Sequence, residues 1–251
     1  MNVGQLSGDG PAPTVIRPLG DGSIVYQTYA GNSDRPAFAN RAGRGALVRG
    51  DTRRVSTDTI AHYLPLLSRE LLPARGPPKV LVATVQALPA IAYAADGMSF
   101  VVIEQPSVVS TSSELAVLRR TVAGDTLFRR TVSMPREIFA DRQKQAFADR
   151  ADNASSSDER AMIFGMLKPI QYLPAITKAL LSTDGSIWIN RFSNDSVGSW
   201  AILDARGRWV AQLSTPLRFQ LFAVSKELAW GVQYNSDGLP ELRRFKIRRG
   251  R

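Results

Sequence analysis

The chain has no cysteine in its 251 residues. That removes disulfides, thiolate metal sites and cysteine nucleophiles together. Histidine occurs once, at His62, so a metal centre built on several imidazoles cannot form within one chain. No run approaches the roughly 18 consecutive apolar residues that cross a bilayer as a helix. The opening residues Met1-Asn2-Val3-Gly4-Gln5-Leu6-Ser7 offer neither the basic start nor the apolar stretch of a secretory signal. The sequence also lacks a P-loop, a dinucleotide fingerprint and a nucleophile elbow. These absences leave the compartment unassigned, since exported proteins can also lack cysteine.

What is present is a β pattern that recurs along most of the chain. Gly20-Asp21-Gly22-Ser23-Ile24-Val25-Tyr26 returns as Asp96-Gly97-Met98-Ser99-Phe100-Val101-Val102, and again as Asp184-Gly185-Ser186-Ile187-Trp188-Ile189. Each copy is an Asp-Gly turn beside apolar residues, a strong hairpin signal. Each is followed by a second hairpin with its own glycine turn. Gly50-Asp51-Thr52-Arg53-Arg54-Val55 is echoed by Gly124-Asp125-Thr126 followed by Arg129-Arg130-Thr131-Val132, at a similar turn-to-turn distance. Repeated hairpin pairs are the signature of blades. With 44% hydrophobic residues the chain can bury a sizeable core.

The expected fold class is therefore all-β: one β-propeller-type domain of about four blade-like antiparallel units. The cells fall near residues 14–60, 80–134, 170–214 and 217–249. In the first, Arg49-Gly50-Asp51 reads as the turn of the second hairpin and residues 52–55 as a solvent-facing outer strand. Residues 56–79 read as a loop with a short helical turn before a β run at Val80–Val85. Residues 135–168 are charged and poor in β-branched residues, which suits a helical insertion. Pro135 reads as a helix start, with Ile138, Phe139, Ala146 and Phe147 on one apolar face. Ser156 and Glu159 have capping-box spacing for a second short helix ending near Leu167.

The stretch from Pro174 to Ile247 resembles the C-terminal blades of bacterial six-bladed β-propeller proteins. The matching residues are Asp184-Gly185-Ser186-Ile187-Trp188-Ile189, then Trp200-Ala201-Ile202-Leu203-Asp204-Ala205-Arg206-Gly207-Arg208-Trp209-Val210, then Pro216. The resemblance extends more weakly over residues 14–249, and its motifs specify blades rather than chemistry. It implies six blades, often in exported proteins. This chain shows about four cells and no export signal, so the expectation is a copy lacking N-terminal sequence, with an open blade edge suited to self-association or a partner.

Each candidate site residue has an ordinary structural role to set beside a functional one. His62 has no serine or carboxylate set beside it by spacing, so a loop histidine is the plainer reading than a general base. Asp21, Asp96 and Asp184 each precede glycine, and turn chemistry accounts for them better than a carboxylate ring or cation site. Asn235-Ser236-Asp237-Gly238 lacks the downstream glutamate of a calcium loop and reads as a turn. Arg49-Gly50-Asp51 matches an adhesion tripeptide that a hairpin turn explains. Trp188, Trp200, Trp209 and Trp230 read as packing between blades rather than an aromatic platform. Asn153 and Asn194 head sequons that matter only in a glycosylating pathway.

The net charge of +10 is largely a property of the tail. Arg243, Arg244, Lys246, Arg248, Arg249 and Arg251 lie within the last ten residues, and without these six the remainder carries +4. No recognised nucleic-acid motif accompanies them, and Arg243, Phe245 and Ile247 alternate as in a strand. No catalytic, cofactor or metal residue is assigned. The favoured function is a non-catalytic binding or scaffold module for an unidentified protein or small molecule. The alternative is a propeller hydrolase or lyase of the lactonase or NHL-like kind with a channel cation. Against it stand apolar inner strands, Ile91-Ala92-Tyr93-Ala94 and Leu221-Phe222-Ala223-Val224. Binding of nucleic acid or an anionic surface through the tail ranks last.

Overall fold

The structure is a computed structural model describing residues 14–29, 45–51, 56–63, 67–71, 79–83, 89–105, 112–151, 156–191, 198–216 and 219–247. The described residues form four antiparallel sheets in chain order, a separate strand pair and two short helices. Among the described residues no helix is long and apolar enough to cross a membrane.

The first sheet pairs β1 (Thr14–Pro18), β2 (Ile24–Tyr29), β3 (Gly45–Asp51) and β4 (Ser56–Tyr63) in simple succession. Among the described strands, β5 (Leu67–Leu71) and β6 (Lys79–Ala83) pair only with each other. The second sheet runs through β7 (Ala90–Tyr93), β8 (Ser99–Glu104), β9 (Ser112–Thr121) and β10 (Thr126–Pro135). After α1 (Asp141–Asp149) and α2 (Ser157–Leu167) comes the third sheet, β11 (Ile176–Leu181), β12 (Ile187–Arg191), β13 (Gly198–Leu203) and β14 (Trp209–Thr215). The fourth has three strands, β15 (Phe219–Val224), β16 (Leu228–Tyr234) and β17 (Pro240–Lys246).

Successive sheets stack face to face, which is what makes the arrangement propeller-type. Alternate side chains of a strand point to opposite faces. In β8, Phe100 and Val102 join Leu19, Val25 and Ile60 of the first sheet. Val101 and Ile103 turn the other way and pack with Ile187, Ile189, Ala201 and Leu203 of the third. In β12 and β13 the alternation repeats: Ile187, Ile189 and Ala201 face the second sheet, while Trp188 and Trp200 meet Leu221, Val224 and Ala229 of the fourth. A sheet covered on both faces needs apolar residues at both parities. The run Phe100-Val101-Val102-Ile103 is therefore continuous rather than alternating, and all four side chains are buried. Burying each large apolar side chain contributes about 1.5–3 kcal/mol. The first strands of the sheets adjoin, β7 beside β11 and β11 beside β15.

Three local expectations are corrected. The described residues of 56–79 are strands, not a loop with a helical turn. Ser56–Tyr63 is a strand registered on β3, and Leu67–Leu71 pairs with β6. Thr57, Thr59 and Ile60 are β-branched, and β3 offers them a partner edge. The same pairing lengthens β3 through Arg49-Gly50-Asp51, so this tripeptide lies in a strand rather than a turn. The strand expected at 52–55 falls outside the described residues. The run at 80–83, expected to open the second blade, pairs with β5 instead.

Pro135 ends β10 rather than starting a helix. Residues past it are held extended, because Phe139 N–H donates to Gln171 O at 2.8 Å and Leu173 N–H to Glu137 O at 2.9 Å. Helix α1 begins only after Ala140. Of its expected apolar face, Phe139 is buried but Ile138 is 70% exposed, and Ala148 takes the inward position beside Ile163 and Leu167 of α2. The capping box of α2 is present: Glu159 N–H donates to Ser156 Oγ at 3.2 Å and Ser156 N–H to Glu159 Oε2 at 3.3 Å.

Candidate functional site

The repeated aspartates build turns. Ser23 N–H and Ser186 N–H each donate to the aspartate two residues back, Asp21 and Asp184, at 3.0 Å. Met98 N–H donates to Asp96 at 2.9 Å. The following glycines, Gly22, Gly97 and Gly185, take φ of 85°, 70° and 81°, a region that costs other residues energy. At Asp21, burial pushes the carboxyl pKa up, but hydrogen bonds from Ser23 and Arg49 outweigh it and the net direction is down. The Asp96-Gly97 turn touches its counterpart: Gly20 N–H donates to Gly97 O at 3.0 Å. These turns join the sheets rather than converge on a ligand. Among the described residues no three histidine, aspartate or glutamate side chains come together as metal ligands.

His62 sits on β4 opposite Ala46 in register, a strand position rather than a loop. Asn235 closes the last hairpin, its Oδ1 accepting from Asp237 N–H at 3.0 Å and Leu239 N–H at 2.9 Å. Asn153, Asn194 and Arg248–Arg251 lie outside the described residues. The tryptophans divide. Trp188 and Trp200 are buried between the third and fourth sheets, as packing requires. Trp209 is 45% exposed, and Trp230 is half-buried. The reason is position: Trp209 begins an outer strand, and Trp230 lies on the face of its sheet opposite Ala229, which joins the Trp188–Trp200 core.

The sheets' inner strands carry one cation among β7, β11 and β15. Lys178 of β11 reaches across to β15, where Nζ donates to Leu221 O at 2.8 Å and lies 4.8 Å from the Phe222 ring centroid. Burial lowers its pKa, because the charged form loses water there. No described carboxylate pairs with it. The amine ties two inner strands together and offers a desolvated donor at the sheets' common edge. The sequence signal for it was a lysine within Ile176–Leu181, unremarkable until β15 is placed beside it.

A second cation-rich feature is the outer side of the fourth sheet. Trp230 pairs in register with Arg244, Val232 with Leu242, and Leu228 with Lys246. The opposite face of the same strands packs on the third sheet, where Ala229 joins the Trp188–Trp200 core, and on that face Phe245 meets Phe219 of β15 edge-on at 5.0 Å. Leu242, Arg244, Lys246, Trp230 and Val232 thus share the face turned away from the core. Leu242 is 77% exposed there.

No family model matches the sequence, and no curated protein matches it. Among solved structures the chain is similar to two mutant forms of the apocarotenoid oxygenase of Synechocystis. With one the identity is 13% and the TM-score 0.40, over 94% of this chain and 45% of that one. With the other they are 14% and 0.38, over the same shares. The chain thus spans under half the length of either structure. A likeness at this level assigns no chemistry to the present residues.

Proposed function

We propose that the chain is a non-catalytic binding or scaffold module of propeller type. The observation that carries the reading is the fourth sheet, whose outer face sets Leu242, Trp230 and Val232 beside Arg244 and Lys246. Mixed apolar and cationic faces on a sheet suit recognition of a partner rather than bond chemistry. The six-bladed relationship belongs to the same proposal and rests on the Asp184–Val210 motif.

The test is metal content of the purified chain by mass spectrometry of the ion, paired with light scattering on a sizing column. The reading expects no stoichiometric divalent cation after dialysis without chelator, and a monomer or a reversible small oligomer. One tightly held cation per chain would sink the non-catalytic reading in favour of a propeller hydrolase or lyase.

A further inference from the structure

Among the described residues the fourth sheet has three strands where each of the other three has four. Its edge is β17, and no described strand pairs with its outer side. Such an edge presents a row of backbone donors and acceptors that templates one more strand. Its charge is strongly one-sided. Arg243 is ion-paired with Glu241, the strand's single acid, while Arg244 and Lys246 have no ion-pair partner among the described residues.

We propose that β17 accepts an extended acidic segment of another protein as the fourth strand of this sheet. The inference rests on the binding-module reading and names the partner's chemistry. Carboxylates on the added strand would stand beside Arg244 and Lys246, and its apolar residues, on the opposite face, would adjoin Phe245. A second copy of the chain fits poorly. Two β17 strands side by side bring three cations each against one acid each, and like charges across strands are destabilising. Residues 1–13 of the chain also fit poorly, holding one acid, Asp9, among three glycines and two prolines.

The outer strand β10 supplies an internal control. It too carries adjacent cations, Arg129 and Arg130, but its sheet already has four strands. The probe is the fluorescein-labelled peptide Glu-Val-Glu-Ile-Asp-Val-Glu, with two analogues N-methylated at alternate residues, one of each parity. The analogues keep the charge, and each loses the donors of one strand edge. The unmodified peptide should bind with Kd on the order of tens of micromolar. At least one analogue should bind roughly tenfold more weakly. Amide hydrogen exchange should slow over 240–246 and stay unchanged over 126–135. R244E/K246E should weaken binding roughly tenfold. If that variant fails to fold, the analogues on the unaltered chain still decide.

Equal binding by both analogues would overturn strand pairing. So would equal slowing at β10, or equally tight binding of a single-stranded oligonucleotide of matched charge, since each would mean attraction by charge alone. Absence of peptide binding, in a chain that holds no stoichiometric cation, overturns this inference and leaves the binding-module reading standing. A stoichiometric cation overturns that reading whatever the peptide does.

Discussion

Trp188 donates its indole N–H to Ser186 Oγ at 3.2 Å, inside the core between the third and fourth sheets. Ser186 Oγ in turn donates to Asp184 Oδ1 at 2.6 Å. The first sheet repeats the turn with a different neighbour: Ser23 Oγ donates to Asp21 at 2.6 Å and lies 2.9 Å from Arg49 Nε, which donates to it. One short turn thus satisfies itself and still holds an acceptor ready for whatever side chain the adjoining strands supply.

Ser186→Ala leaves the buried Trp188 N–H without this acceptor. An unsatisfied buried donor costs about 1–3 kcal/mol. Urea denaturation followed by tryptophan fluorescence should show a loss of that size. A loss under about 0.5 kcal/mol would mean the indole finds another partner.

Gly207 and Gly238 separate backbone strain from packing. Both have positive φ, 77° and 76°. A Cβ at Gly207 would meet Phe128 Cε2 at 2.7 Å, whereas one at Gly238 meets nothing within 4 Å. Gly238→Ala should cost about 1–2 kcal/mol, the left-handed penalty alone. Gly207→Ala should cost measurably more in the same thermal melts, because Phe128 of the second sheet must move. Equal losses would show that the sheets are not held together at that contact.

Asp21 links stability to acid. Its carboxyl is depressed below its ordinary value in the folded chain by the hydrogen bonds of Ser23 and Arg49, against the opposing effect of burial. A depressed carboxylate contributes stability that is complete above its unfolded pKa of about 3.9 and is lost as pH falls through the lower folded value. Asp21→Asn should therefore flatten the acid limb of the stability curve below about pH 4. An unchanged limb would remove Asp21 from the acid response.

Lys178 has the same sign of linkage, in a higher pH range. Its amine is lowered by burial, so between the folded and unfolded values the unfolded chain binds the extra proton and stability rises with pH. In carbon-13 dimethyl-lysine spectra, its resonance should titrate below the ordinary lysine range, near 10.4. Lys178→Met should abolish that resonance and weaken the alkaline rise. A resonance titrating at the ordinary value would mean that water reaches Nζ beside Phe222.

Much of the fold is written locally. The Asp-Gly turns, the strands around them and the Ser156–Glu159 cap depend on residues within a few positions of one another, and all stand where their spacing puts them. Residues 56–63 were harder, because Thr57, Thr59 and Ile60 become a strand only when β3 presents an edge. Pro135 illustrates the same limit. Its fixed φ suits a helix start or a strand end, and the pairing of residues 137–139 with 171–173 chose the second.

The candidate site was less legible. Lys178 gains its meaning from Leu221 and Phe222, more than forty residues away, and nothing in Ile176–Leu181 announces that meeting. The four tryptophans look alike in sequence, yet two are buried and two are not. Strand periodicity assigns each side chain to a face. Only the stacking of sheets decides which faces are covered, and it left the Leu242–Arg244–Lys246 row outside. The sequence by itself determined the turns, the alternation and the basic end of the chain, since these follow from near-neighbour sterics and composition. The tertiary structure alone decided that, among the described residues, the last sheet has three strands, because an edge exists only where pairing over long range ends.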